Sequence, residues 1–229
     1  KSDLLVDVQK SFYNYIESIA TPGNLRIQYN SWYDFMKEID ADNIEKSFFE
    51  IEKGLTSNGI APLDAYVVDD GWVDYKSGFW SFNKKFPNQL YDISQITAKL
   101  DSHFGLWLGP RGGYGFPDKF AKKMEKLGKG SFNSEAKDVC VADKTYIKNV
   151  TDFILKSTKE FDIDYWKFDG FCLAPCKNPN HNHPVGGEND MYFITDMWEC
   201  WIDVFKKIRE LRTKAGKGLW INMTCYVNP

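Results

Sequence analysis

The 229-residue chain lacks any run of about eighteen apolar residues, the length a membrane-crossing helix needs, and its first ten residues carry no apolar stretch of signal-peptide type. It also lacks a surplus of either charge. With 29 Lys and Arg against 32 Asp and Glu, the signs are mixed and the formal net charge is −3, so a one-sign basic patch for nucleic acid is not available. Cysteine is sparse and odd in number: Cys140, Cys172, Cys176, Cys200 and Cys225 are too few for a disulfide scaffold. The fold must therefore rest on a core. The 43% hydrophobic and 16% aromatic content is enough for one, and a single large domain is the simplest reading.

Periodicity divides the chain into an N-terminal piece, residues 1–24, and a remainder, residues 25–229. Leu5, Val8, Phe12, Tyr15, Ile16 and Ile19 follow helical spacing up to Thr21-Pro22-Gly23-Asn24, which reads as a lead-in helix and linker. After it, short apolar runs alternate with helical patterns. The predicted strands are Leu25–Asn30, Ala65–Val68, Phe104–Leu108, Asp164–Phe168 and Gly218–Met223, with a further short one at Val139–Val141. Between them the spacing predicts helices from Asp42 to Leu55 with an Asp cap, Ile93 to Ser102, Pro117 to Leu127, Lys144 to Phe161 and Met191 to Ala215.

Such alternation indicates parallel βαβ units, in either a closed barrel or an open doubly wound sheet. Each main strand is followed by polar or aromatic residues: Asn30 to Asp34, Asp69 to Trp72, Pro110 and Arg111, Lys167 and Asp169, Asn222 and Cys225. A barrel brings all such ends to one mouth, whereas an open sheet focuses ligands at one switch point, so the α/β (β/α)8 TIM barrel is favoured. Five units in about 205 residues is too few for eight. The chain is expected to supply about the first five, with the remainder of the barrel in the full-length protein.

Asp169 follows an apolar strand, and Lys167 two residues earlier shares its face. A neighbouring cation keeps a carboxylate ionised, as a nucleophile requires; a strand-end Asp capping a loop beside a surface Lys would look the same. Asp69 and Asp70, adjacent at another strand end, suit hydroxyl recognition, with Trp72 able to lie against a sugar ring, or equally a metal or a turn. Eight Trp and twelve Tyr suit a sugar-binding cleft or a packed core.

Asp69-Asp70-Gly71-Trp72, Phe104-Gly105-Leu106-Trp107 and Tyr165-Trp166-Lys167-Phe168-Asp169-Gly170, in this order, resemble the α-galactosidase and α-N-acetylgalactosaminidase (melibiase) clan of retaining glycoside hydrolases. The resemblance implies a carbohydrate substrate, no cofactor or metal, and Asp169 as nucleophile. Lys167 would contact sugar hydroxyls, and Asp69 and Asp70 would receive the 4- and 6-hydroxyls of a galactose-type ring. Trp32, Trp107 and Arg111 would shape the pocket, though both Trp also fit ordinary barrel packing. In the clan the acid/base is an Asp beyond the sixth strand, so it is expected past this chain. A raffinose-synthase-like transglycosylase shares the motifs.

The loop from Phe171 to Pro184 adds Cys172, Cys176, His181 and His183, a donor set that zinc accepts, and it also reads as a substrate-contacting or an ordinary ordered loop. Used with Asp69 and Asp70, the same set would make a metal-dependent barrel hydrolase; a non-catalytic sugar-binding barrel is a further reading. A Cys140–Cys172 bridge resembles an arrangement in some relatives, and Cys225 would either line the pocket or stay a buried thiol.

Overall fold

The computed structural model describes residues 4–20, 23–115 and 117–224. Helix α1 (Leu5–Ile19) comes first and buries none of its residues. There follow β1 (Gln28–Asn30), the one-turn α2 (Trp32–Phe35), α3 (Ala41–Thr56), β2 (Ala65–Val68), α4 (Tyr91–Lys99), β3 (His103–Leu108) and α5 (Pro117–Lys126). The chain continues through β4 (Phe132–Asn133), β5 (Asp138–Val139), α6 (Lys144–Glu160), β6 (Tyr165–Asp169), α7 (Met191–Lys214) and β7 (Trp220–Thr224).

The main sheet has the order β1-β2-β3-β6-β7 and every pairing in it is parallel. The order follows the chain without reversal, so there is no switch point of the doubly wound kind; the sheet is a curled half-barrel, the partial TIM barrel expected. All four residues of β2 are buried because both of its faces are covered. Tyr66 and Val68 join the large core beneath the helices with Ile44 and Phe48, while Ala65 and Val67 meet Tyr165 and Trp220 on the other face. Gly105 keeps that inner side open: a Cβ there would stand 2.8 Å from Tyr165 and from Val67. The edge strands β1 and β7 are mostly half-buried.

One expectation is corrected. Asp40, not Asp42, caps α3, because its backbone is extended and its carboxylate reaches the Asn43 amide at 2.8 Å while the Asn43 side chain returns a bond to the Asp40 backbone. The short strand near Val139 belongs to the β4–β5 hairpin outside the main sheet.

Candidate active site

Parallel register sets the C-terminal strand ends level. Asn30 faces Val67, Val68 faces Leu106, Leu108 faces Phe168 and Asp169 faces Thr224. The residues just beyond these positions form one mouth. Lys167 and Asp169, two apart on β6, point to the same face as Tyr165. The Lys167 ammonium donates to Asp69 Oδ2 at 2.7 Å, and the Asn30 side-chain amide donates to the same oxygen at 2.8 Å. Asp69 Oδ1 accepts from the Asp70 amide at 2.8 Å. The cation expected beside Asp169 is thus bonded to Asp69, which is buried.

Asp169 itself is buried at the end of β6. Its Oδ2 accepts from the Tyr114 hydroxyl at 3.1 Å and from the Trp107 indole at 3.4 Å, whereas Oδ1 is buried and makes no hydrogen bond among the described residues. Gly170 follows with φ +74°, and a Cβ there would meet Arg111 Nε at 2.9 Å. The close approach is anchored by the Arg111 amide, which donates to the Gly170 carbonyl at 3.2 Å. A glycine after Asp169 is therefore required by the backbone.

Asp70 turns away from Asp69 toward the loop after β3. Its oxygens accept from the Tyr75 hydroxyl at 2.6 Å and the Tyr114 amide at 3.2 Å. Burial raises the Asp70 carboxyl above the ordinary range, opposed by these donors. Burial and the Asp70 charge also raise the Tyr75 hydroxyl, which keeps it a donor. The aromatic wall consists of Trp32, Tyr114 and Trp107, with ring centres 5.4 Å and 6.2 Å apart in succession.

Of the residues singled out from sequence, Asp69, Asp70, Lys167, Asp169, Trp32 and Trp107 gather at this mouth. Trp72 does not offer a face to it. Gly71, with φ +131°, swings Trp72 under the helices, where it stacks at 5.8 Å on Phe153 of α6 and its indole donates to the Trp107 carbonyl at 3.1 Å. Arg111 pairs with Asp138 at 3.6 Å, whose carboxyl burial pushes up to about 7 against the pull of that guanidinium. Tyr114 and Tyr75 escaped the sequence reading; the glycines around Tyr114, in Gly112-Gly113-Tyr114-Gly115, were the available signal. Gly113 and Gly115 leave the room that the Tyr75 ring occupies.

The Cys/His loop is assembled differently from expectation. Cys176, His181 and His183 come together with Cys140, not with Cys172, and Asp69 and Asp70 are not part of this group. Cys140 and Cys172 are both free thiols, so the bridge between them is absent; Cys225 lies outside the described residues. A cavity of about 470 Å³ lined by Trp80, Asn83, Phe153 and Phe161 contains none of the strand-end residues discussed above.

No family model matches the chain, and no curated protein matches it in sequence. Solved structures do match. The GH36 α-galactosidase AgaA from Geobacillus stearothermophilus, in complex with stachyose, is similar over 87% of this chain and 28% of its own, at 16% identity and a TM-score of 0.61. The α-galactosidase TtGalA from Thermus thermophilus, in complex with p-nitrophenyl α-D-galactopyranoside, is similar over 94% and 42%, at 17% identity and 0.61. The α-galactosidase from Lactobacillus brevis is similar over 88% and 27%, at 12% identity and 0.60. The chain thus spans well under half the length of these proteins. At such identities the likeness is one of fold: this chain folds as part of a barrel of the kind found in α-galactosidases.

Proposed function

We propose that this chain carries the nucleophile side of a retaining exo-α-glycosidase acting on terminal α-linked galactose or N-acetylgalactosamine. The observation that carries the reading is the division of labour within Asp169. One carboxylate oxygen is held by Trp107 and Tyr114, and the other is buried with no hydrogen bond, at a mouth shared with Lys167 and Asp69. A fixed carboxylate with a free lone pair suits attack at an anomeric carbon.

In the proposed reaction the Asp169 carboxylate bonds to the anomeric carbon while the bond to the leaving oxygen breaks and a second carboxyl protonates that oxygen. Water then attacks the glycosyl ester, gives its proton to that second carboxylate, and frees Asp169. The second carboxyl must stand about 5 to 5.5 Å away in a retaining enzyme. Asp69 is taken up by Lys167 and Asn30, and Asp70 by Tyr75 and the Tyr114 amide, so neither is assigned this role. It is expected from a carboxyl after a sixth barrel strand in the whole protein. The remaining Lys167 N–H groups and the Asp69 oxygens are suited to ring hydroxyls, with Trp32 beside them. The AgaA and TtGalA complexes, with stachyose and a galactopyranoside, support a galactose-type substrate.

Mechanism-based labelling of the full-length protein with a fluorinated galactosyl reagent, followed by peptide mapping, tests the assignment. The label is expected on Asp169; a label on any other residue would overturn it.

A further inference from the structure

Cys140 lies just after β5, and Cys176, His181 and His183 lie in the long loop between β6 and α7. Their side chains converge: one ligand-capable atom from each falls within 4.8 Å of all the others. We propose that Cys140, Cys176, His181 and His183 form a closed tetrahedral site for one structural zinc ion, which clips the β6–α7 loop to the segment between β5 and α6.

The geometry is near what zinc needs. Zn–S bonds of about 2.3 Å and Zn–N bonds of about 2.0 to 2.1 Å place tetrahedral ligand atoms roughly 3.3 to 3.8 Å apart. Cys176 Sγ and His181 Nδ1 stand 3.2 Å apart, at the short end of that range, and the remaining ligand atoms, all within 4.8 Å of one another, close around the ion. The ring nitrogens that would not bind metal have their own partners. His183 Nδ1 lies 3.0 Å from the Pro184 carbonyl, to which it donates when protonated, and this leaves the Nε2 lone pair facing inward. That Nε2 is buried, interacts with Cys176 and has no hydrogen bond of proper geometry. His181 Nε2 lies 2.9 Å from the Asn178 side-chain nitrogen, so binding through Nδ1, which puts the ring proton on Nε2, requires the Asn178 carboxamide to turn its oxygen to that proton and give up its bond from the Asn180 amide.

Buried polar groups are ordinarily satisfied, and Cys140, Cys176 and His183 are nearly inaccessible to solvent. A metal would satisfy all of them at once. Two sulfurs and two imidazoles select zinc over magnesium or calcium, which require oxygen donors. Four protein ligands leave no open position for water, so the site is structural rather than hydrolytic. On binding, both thiols release their protons to solvent and both imidazoles bind neutral. The loop has reason to need such a clip. It is rich in Gly, Pro and Asn, Leu173 is exposed, and its ties to the rest include the Asn133 amide on the Ala174 carbonyl at 2.9 Å and the Lys144 amide on Asn182 Oδ1 at 2.6 Å. It also begins at Gly170, directly after Asp169.

The test is zinc content by elemental mass spectrometry on untagged protein purified under reducing conditions and dialysed against a weak chelator. About one zinc per chain is expected, retained in Cys172→Ala and lost in Cys176→Ala and His183→Ala. Because a ligand variant can simply fail to fold, the wild-type protein is also exchanged with Co(II), and the visible absorption of tetrahedral, thiolate-bound cobalt is expected. Wild-type protein without stoichiometric zinc and without the cobalt spectrum overturns the proposal. So does a Cys140–Cys176 disulfide found by non-reducing peptide mapping of freshly isolated protein, or loss of zinc from Cys172→Ala as complete as from Cys176→Ala.

Discussion

Two buried polar clusters stand at either end of the stretch that leaves β6. In the first, Asp69, Asp70 and Asp169 are each anchored by donors from other elements: Asn30 of β1, Lys167 of β6, Trp107 of β3, and Tyr75 and Tyr114 of the loops. In the second, Cys140, Cys176, His181 and His183 mainly face one another. Each holds a buried atom without a hydrogen bond among the described residues, Asp169 Oδ1 in one and His183 Nε2 in the other. Identical isolation has opposite meaning in the two places. A carboxylate whose other oxygen is already held fixed is set up to react, since the geometry is paid for by folding. An imidazole nitrogen among thiols and a second imidazole is set up to bind.

Asp169→Asn is the strongest way to break this contrast. It keeps the shape of the side chain and one acceptor oxygen, while removing the nucleophile. In the whole protein, hydrolysis of an aryl α-galactoside is expected to fall on the order of 10⁴-fold or more, about 5.5 kcal/mol of transition-state stabilisation, with a thermal transition near that of wild type. Activity within a few-fold of wild type would remove Asp169 from the chemistry.

Lys167→Ala comes next and is read as stability. Asp69 is 1% exposed and keeps only the amide donors of Asn30 and Asp70 once the ammonium is gone. Leaving a buried carboxylate without its cation costs about 3 to 5 kcal/mol, measured as a lower midpoint in chemical denaturation. Lys167→Ala, Asp69→Asn should recover part of that loss. No recovery would show that Lys167 stabilises through its alkyl packing.

Tyr114→Phe separates the two oxygens of Asp169. It deletes one of the two donors on Oδ2 and leaves the Tyr114 amide on Asp70. A hydrogen bond to a charged group contributes about 1.5 to 3 kcal/mol, so kcat/KM is expected to drop about 10- to 150-fold. An unchanged rate would mean that the carboxylate is positioned by Trp107 and the backbone alone.

How far this contrast was legible in the sequence depended on range. The βα order and the strand before Asp169 follow from apolar runs and helical spacing, which are local; the helix expected from Lys144 to Phe161 spans Lys144–Glu160. Asp42 was read as the cap of α3 because a cap depends on backbone angles that no residue pattern displays, and Asp40 adopts them. Trp72 was read as able to lie against a sugar ring from its place beyond a strand end, and Gly71, with φ +131°, turns it the other way. Tyr114 sits among glycines without periodicity. Cys140 was linked with Cys172 instead of Cys176 because which loop thiol meets β5 is decided by the path of the whole β6–α7 connection.

The smallest expected effect concerns Asp70, where two influences oppose each other. Burial raises its carboxyl, while Tyr75 and the Tyr114 amide pull it down, and burial prevails. A carboxyl raised in the folded state binds its proton more tightly there than in the unfolded chain, whose value is near 3.8. Its contribution to stability is therefore greatest below that value, falls as pH rises through the raised pKa, and is level above it. Asp70→Asn removes the titration. The stability of wild type minus that of Asp70→Asn should decline with pH across this window by no more than about 1.4 kcal/mol per pH unit, whatever constant offset the amide introduces. A difference that climbs with pH would mean that the donors outweigh burial. The Tyr75 hydroxyl and the Tyr114 amide would then decide the charge of Asp70.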